Sequence, residues 1–251
     1  CQGRLEEVHR AFIIPSSSRE NLVRGFTIIN GWVRTAPEQE DYMAWGGAIL
    51  CIDSSPVLEH CIFAGNRAQR GAAVAAHALA DARRGPIISN CSFAGNWAME
   101  YAGAIYCGAS VWIDLDRSIL WSNRAYQGNE LAVDEGRDTR LRVNYCNVAG
   151  GLSGVYVPAS AQASVLDWKD TNIETDPCFV DLGYWDQQGT PNDVNDDLWS
   201  LGNYHLLSEA GRFDAQAYSW VQDTFSSPCI DAGAPRKAGD PELCPHGHHT
   251  N

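Results

Sequence analysis

The chain has 251 residues, and its hydrophobic fraction of 45% is enough for the core of one long domain or two. A formal net charge of -13 argues against nucleic-acid binding, which depends on cations that neutralise phosphates. No apolar run approaches the about 18 residues that a membrane-spanning helix needs, so we expect no transmembrane segment.

A phrase of similar residues returns along the first 150 positions at intervals near 30 residues. It is clearest at residues 56–66 and 86–96, and weaker copies cover residues 23–28, 115–123 and 143–148. A repeat of this size is typical of a solenoid, in which each copy buries its apolar face by stacking on its neighbours.

Each copy has apolar residues three positions before and two positions after an aligned site. The aligned residues are Phe26, Cys61, Cys91, Ser118 and Cys146. We interpret each segment as one strand with a buried face. A second strand is predicted at residues 47–51, 72–76, 103–107 and 129–133. The chain is therefore predicted to be all-β, a right-handed parallel β-helix of about five coils.

Two residue types recur inside the copies. Asn66, Asn96 and Asn123 lie five residues after the aligned site, where we expect a hydrogen-bonded ladder at a corner. Of the nine cysteines, those in the repeats are predicted to be buried thiols: Cys51, Cys61, Cys91, Cys107 and Cys146. Outside the repeats, the better disulfide candidates are Cys178, Cys229 and Cys244.

The repeat pattern ends near residue 158. We predict β-helix coils over residues 1–158 and an acidic, loop-rich C-terminal capping region over residues 159–251, where further irregular coils remain an alternative. Residues 171–211 contain eight acidic residues and neither Lys nor Arg. We expect this region to cover the open end of the solenoid, because unpaired strand edges promote aggregation.

Several segments carry a family resemblance. Residues 25–31, 46–51, 55–66 and 227–233 resemble bacterial right-handed parallel β-helix repeat proteins, which include pectate-lyase-like folds and the repeats of polymorphic outer-membrane proteins. Residues 176–181 and 204–206 are similar to the C-terminal end of large secreted or surface members. The resemblance implies an extracellular or cell-surface bacterial protein, and it implies that this chain is a fragment of a larger one.

Two segments have the residue types of metal sites. Asp193, Asn195 and Asp197 have a spacing that can direct three oxygens at Ca²⁺, although the remaining EF-hand positions do not match. The alternative is a solvated acidic turn. The histidines at 246, 248 and 249 near Cys244 could hold zinc, but an exposed tail is the stronger interpretation.

Nine tryptophans could supply rings that stack on sugars. Trp32, Trp45 and Trp121 are the candidate ligand-binding residues, because the first two flank a long loop and Trp121 points outward from its strand. Trp97 and Trp112 also lie near turns. The alternative for each ring is loop packing.

No catalytic motif is recognisable, and no catalytic residue is assigned. Two charged groups were considered for lyase or glycosidase chemistry: Asp114, Asp116 and Arg117, and Asp134, Glu135, Arg137 and Asp138. We predict a secreted or cell-surface scaffold that binds carbohydrate or another surface partner. The alternative is a polysaccharide lyase or glycoside hydrolase acting on an acidic polysaccharide.

Overall fold

The structure is a computed structural model that describes residues 9–16, 21–34, 40–79, 83–136, 138–161 and 165–233. Its strands form a parallel β-solenoid of about four turns, which confirms the predicted all-β class and parallel stacking. Two short 3₁₀ helices, Asp41–Ala44 and Gly151–Gly154, interrupt the strands. The right-handed winding stays a prediction.

Three parallel sheets run along the solenoid. Sheet 1 contains β1 (Phe12–Pro15), β4 (Ile49–Ile52), β8 (Val74–His77), β12 (Ile105–Cys107), β15 (Leu131–Val133) and β18 (Val155–Tyr156). Sheet 2 contains β2 (Leu22–Arg24), β5 (Val57–Glu59), β9 (Ile87–Ser89), β13 (Trp112–Asp116), β16 (Arg140–Asn144) and β19 (Leu166–Trp168). Sheet 3 contains β3 (Thr27–Ile29), β6 (Ile62–Ala64), β10 (Ser92–Ala94), β14 (Ile119–Trp121) and β17 (Asn147–Val148).

The remaining strands lie outside these sheets. A parallel pair, β7 (Arg67–Arg70) and β11 (Trp97–Tyr101), lies between sheets 3 and 1. Two antiparallel hairpins follow the coils: β20 (Phe179–Asp186) with β21 (Leu198–Leu206), and β22 (Arg212–Asp214) with β23 (Ser219–Val221). Parallel pairing extends to β19, so coil-like structure continues into the region where the sequence allowed further irregular coils.

The core fills the inside of the coils with equivalent side chains stacked one above another. Phe63 and Phe93 stack with ring centroids 4.9 Å apart. The predicted inward residues of the second strands are all buried: Ile49, Cys51, Val74, Ala76, Ile105, Cys107, Leu131 and Val133. Stacking of the coils therefore buries apolar side chains that a single coil could not bury alone.

The predicted first strand of each copy is wrong in one respect, because the structure divides it into two strands. A residue with positive φ stands at the division in every copy: Gly25, His60, Asn90, Arg117 and Tyr145. The reason lies in the spacing of the inward residues. Leu58 and Cys61 are three positions apart, and a strand of period two cannot turn both inward. A left-handed residue between them makes the corner that joins sheet 2 to sheet 3.

The predicted asparagine ladder is confirmed, and a buried carboxyl group ends it. The Asn66 Nδ2 donates to Asn96 Oδ1 at 2.9 Å, and the Asn96 Nδ2 donates to Asn123 Oδ1 at 2.8 Å. In the next copy the equivalent position is Gly151, which has no side chain to continue the ladder. The Glu130 carboxyl group instead accepts a hydrogen bond from Asn123 Nδ2 at 2.5 Å. Glu130 is 1% exposed. Burial raises the pKa of Glu130 to about 7, although its hydrogen bonds from Asn123 oppose the shift.

The first C-terminal hairpin lies along one flank of the solenoid. The indole of Trp199 lies against Gly65 and Gly95, where an added Cβ would come within 2.2 and 2.1 Å of ring atoms. Asn30 fixes the same strand, because its side chain accepts from Trp199 N at 2.7 Å and donates to Trp199 O at 3.2 Å. These contacts are lateral, and a cap over the open end stays a prediction.

The cysteines are thiols throughout the described residues. Those predicted to be buried thiols in the repeats are confirmed as such. Cys178 and Cys229, the favoured disulfide candidates, are also free, whereas Cys244 lies outside the described residues. Cys229 Sγ instead accepts a hydrogen bond from Asn147 Nδ2 at 2.9 Å, and Cys178 Sγ donates to Asp176 O at 3.4 Å. Each sulfur therefore has a local polar partner.

Candidate functional site

A cleft crosses the outer face of sheet 2 near its C-terminal end. Its volume is about 480 Å³, and a second hollow of about 400 Å³ adjoins it. Trp112, Arg140 and Asp167 line both. We call this surface the Trp112 cleft. Strands β13, β16 and β19 position these side chains, because alternate residues of each strand point away from the core.

Trp112 presents an aromatic ring inside the cleft. The side chain is 40% exposed, and its Nε1 donates to Asp138 O at 2.6 Å. The guanidinium carbons of Arg83 and Arg140 lie 5.6 and 6.0 Å from the ring centroid. Both cations lie over the ring, yet 40% of the side chain stays exposed, so part of the indole is open to solvent.

Charged side chains alternate along the row beside Trp112. Strand register places Arg142 between Asp114 on β13 and Asp167 on β19. Asp167 accepts from Arg140 Nη2 at 2.7 Å and from Lys169 Nζ at 2.6 Å. Hydrogen bonds from Lys169 and Arg140 lower the pKa of Asp167, so it stays ionised at neutral pH. It orients the two cations and is a poor proton donor.

Arg142 differs from its neighbours. Among the described residues it forms no salt bridge, whereas Arg83 pairs with Asp138 at 3.1 Å and Arg140 pairs with Asp167. An unpaired guanidinium has five donors in a planar fork that matches a carboxylate or sulfate. Arg142 is therefore the side chain of the cleft best placed to bind an anionic group.

The cleft concentrates positive charge in an acidic protein. It contains Arg83, Arg140, Arg142 and Lys169, opposed by Asp114 and Asp167 in its larger part, although the whole chain carries a net charge of -13. A local basic surface of this kind attracts anions and steers them toward it. Together with the open indole, it can bind a molecule that has both a flat face and negative groups.

The predicted ligand-binding tryptophans occupy other places. Trp45 is 7% exposed, and its ring packs against Tyr106 and under Arg70, so it offers no free face. Trp32 is half-buried and bridges to Arg67, with Arg34 5.4 Å from its ring. Trp121 is also half-buried, at the end of β14. Trp121 belongs to a strand, whereas Trp32 and Trp45 form isolated bridges, and none of the three lines the Trp112 cleft.

The two charged groups considered for catalysis are partly brought together. Asp114 and Asp138 both line the cleft. Asp116 instead pairs with Arg117 at 3.1 Å, and Asp134 accepts from the Tyr106 hydroxyl at 2.7 Å. Glu135 accepts from Ser160 Oγ. Arg137 lies outside the described residues.

The predicted calcium loop is a compact turn. The backbone N and side-chain Nδ2 of Asn195 donate to Asp193 Oδ1 at 3.0 and 2.8 Å, which lowers the pKa of Asp193. The carbonyl of Asp197 accepts from Arg67 Nη2 at 2.5 Å. Within the described part of the chain, no three His, Cys, Asp or Glu residues converge on a metal position. The Ca²⁺ site stays a prediction, and the histidines at 246, 248 and 249 lie outside the described residues.

The cations of the cleft were missed by sequence reasoning. Their signal was present in β16, where Arg140 and Arg142 alternate with the buried Leu141 and Val143. Alternation places both arginines on the outer face, beside Asp114 on β13. Only the stacking register reveals that Lys169 and Arg83 join them.

Two further observations bear on classification. In the part of the chain that the structure describes, no helix is long and apolar enough to span a membrane. Searches of protein-family profiles, curated proteins and solved structures found no match to this chain.

Proposed function

We propose that this protein is a secreted or cell-surface scaffold that binds an anionic carbohydrate in the Trp112 cleft. The observation that supports it best is the open indole of Trp112 beside the unpaired Arg142. An aromatic face packs against the apolar face of a sugar ring, while guanidinium and ammonium groups pair with its carboxylate or sulfate. The location outside the cell rests on the motif resemblance alone.

The shape of the cleft also suits an extended chain. Sheet 2 is built from parallel strands about 4.8 Å apart, so outward side chains repeat along the solenoid axis at that interval. Trp112 and Arg140 are neighbours across two strands, and Asp114 and Arg142 form the adjacent row. A polymer lying across these rows would contact several coils, and many weak contacts would together give its affinity.

The experiment is a binding measurement with polygalacturonate as the anionic polymer and dextran as the neutral one. We expect Trp112→Ala to weaken polygalacturonate binding about tenfold and Arg142→Gln to weaken it about threefold. The matched control is Arg24→Gln, which removes an exposed arginine of the same sheet at its opposite end.

Three outcomes are informative. If dextran binds as well as polygalacturonate, the cleft does not select anionic chains. If Arg24→Gln weakens binding as much as Arg142→Gln does, the attraction is a property of general charge. If neither polymer binds at low ionic strength, the proposal fails.

The alternative function is a lyase that acts on an acidic polysaccharide. It is favoured by one observation, namely that the unpaired Arg142 lies beside Asp114, in a cleft that also contains the Lys169–Asp167 ion pair. In such a reaction a base removes the proton next to the uronate carboxyl group, and the neighbouring C–O bond breaks to leave a double bond. Release of unsaturated products from polygalacturonate, with and without Ca²⁺, separates this function from binding alone.

A further inference from the structure

The second C-terminal hairpin, β22–β23, turns aromatic rings toward solvent. Phe213, Tyr218 and Trp220 are 41%, 86% and 58% exposed. Phe213 lies directly opposite Trp220 across the hairpin, and the Tyr218 ring lies 5.6 Å from that of Phe213. The three rings therefore share one side, which we call the aromatic face.

The opposite side of this hairpin contains its ion pair. Arg212 donates to both oxygens of Asp223, at 2.9 and 3.1 Å, and the two side chains are only 12% and 13% exposed. The hairpin thus reverses the usual arrangement, in which rings lie inside and charges outside. A contiguous apolar patch left in water is typical of an interaction surface.

The aromatic face is held in place by the backbone. Gly211 has φ +103°, and a Cβ built there would lie 2.1 Å from Trp220 Nε1, so the indole rests on bare backbone. Asp214 Oδ1 accepts from the backbone N of Gln216 and Ala217 at 2.8 and 2.9 Å, which closes the turn before Tyr218. Rings fixed in this way lose little freedom when a partner binds.

The C-terminal region that carries the aromatic face is acidic in sequence. Residues 171–233 contain eleven Asp and Glu residues, and Arg212 is the one Lys or Arg among them. Arg212 is neutralised by Asp223 and approaches Asp214 at 3.6 Å. The excess of negative charge in this region favours cations over anionic polymers. Aromatic rings also attract Lys and Arg side chains placed over their faces.

We propose that the aromatic face is a docking surface for a basic, extended segment of a partner protein. Its Lys or Arg side chains lie over Tyr218, Trp220 and Phe213, and the net negative charge of the C-terminal region attracts the segment. A second copy of this chain is a poorer occupant because it carries the same net charge of -13. A neutral glycan gains nothing from the negative charge of the region.

The test uses octa-arginine as the basic probe and octa-glutamate as its charge-reversed control, with binding followed by calorimetry. We expect octa-arginine to bind, and Tyr218→Ala and Trp220→Ala each to weaken it about threefold. The matched control is Tyr126→Ala, because Tyr126 is 83% exposed on the solenoid and outside the aromatic face. Tyr218 is almost entirely in solvent, so its removal leaves folding intact.

Three results would overturn the proposal. Equal octa-arginine affinity in Tyr218→Ala, Trp220→Ala and the unchanged protein would mean that the rings take no part. A neutral glucan that binds and is lost in Tyr218→Ala would assign the face to sugar. A dimer in gel filtration that is lost in the same variant would assign it to a second copy.

Discussion

The Trp112 cleft and the β22–β23 hairpin place charged side chains differently around their exposed aromatic rings. Both expose an aromatic ring, but the cleft surrounds it with paired cations on the outer face of a sheet whose inner face is apolar. The hairpin buries its ion pair and exposes its rings. In the cleft, the cations around the ring can pair with the negative groups of a ligand. A hairpin that exposes its rings and buries its ion pair is typical of a surface that binds a partner.

The cleft and the C-terminal hairpins also differ in how they are attached to the core. The cleft is built on strands whose inward residues are continuous with the core, whereas the first hairpin, β20–β21, packs on the flank of the solenoid through Trp199. Local stability follows the density of buried apolar contacts. The comparison therefore predicts that Trp199 contributes strongly to holding the C-terminal region, and that the buried carboxyl of Glu130 makes the stability of the solenoid sensitive to pH.

The largest effect is expected for Trp199→Ala. Its indole is 5% exposed and covers Gly65 and Gly95, so its removal leaves a cavity and we expect a loss of about 3–5 kcal/mol in the free energy of unfolding. Chemical denaturation measures this. The control, Trp220→Ala, removes the same side chain from an exposed position and should cost less than about 1 kcal/mol. Similar losses in both variants would contradict the flank contact.

The next effect concerns Glu130 and pH. Its pKa is raised from 4.5 unfolded to about 7 folded, so the protonated form is favoured by folding. The stability this provides is complete below pH 4.5 and is lost as the pH rises through 7, by at most about 3 kcal/mol. Glu130→Gln has no such proton to lose.

Thermal unfolding from pH 4 to 8 measures the difference between the two proteins. We expect the unchanged protein to lose stability relative to Glu130→Gln across that window and to run parallel to it above about pH 7. Asp167 and Asp193 have lowered pKa values, so their effect on stability falls at more acidic pH. That effect is the same in both proteins and cancels from the difference in stability between them. A constant difference across the window would show that Glu130 does not titrate there.

The smallest expected effect is a difference in alkylation rate between the cysteines of the C-terminal region and those of the solenoid. Cys178 is partly exposed, whereas the other described cysteines are buried. Hydrogen bonding to Cys91 lowers the pKa of Cys61 to about 7, but Cys61 is 1% exposed, so we expect burial to protect it. Brief alkylation of the folded protein followed by mass mapping should find Cys178 modified first.

A Cys178→Ser variant is the control for this labelling. The solenoid thiols should then stay unmodified until the protein is unfolded. Rapid modification of Cys61 in the folded protein would show that its coil opens readily. That result would contradict the predicted difference in rigidity between the solenoid and the C-terminal region. Cys1 and Cys244 are replaced by Ser in both proteins, because they lie outside the described residues.

The amino-acid sequence alone determined the solenoid, its inward residues and the asparagine ladder. Each follows from a residue that recurs at a fixed interval, and stacking converts that interval into contact between Asn66 and Asn96 or between Phe63 and Phe93. Even the corner at His60 had a signal, since Leu58 and Cys61 stand an odd number of residues apart.

Only the tertiary structure decided where charges and rings meet. Arg83, Arg142 and Lys169 come from different coils and share the cleft through strand register and loop path. Trp199 reaches glycines more than 100 residues earlier, and Phe213 faces outward because Arg212 and Asp223 pair inside. Local patterns carry no information about such long-range placement. Repeats therefore define the scaffold, whereas the surfaces that can bind a partner depend on how coils and hairpins pack.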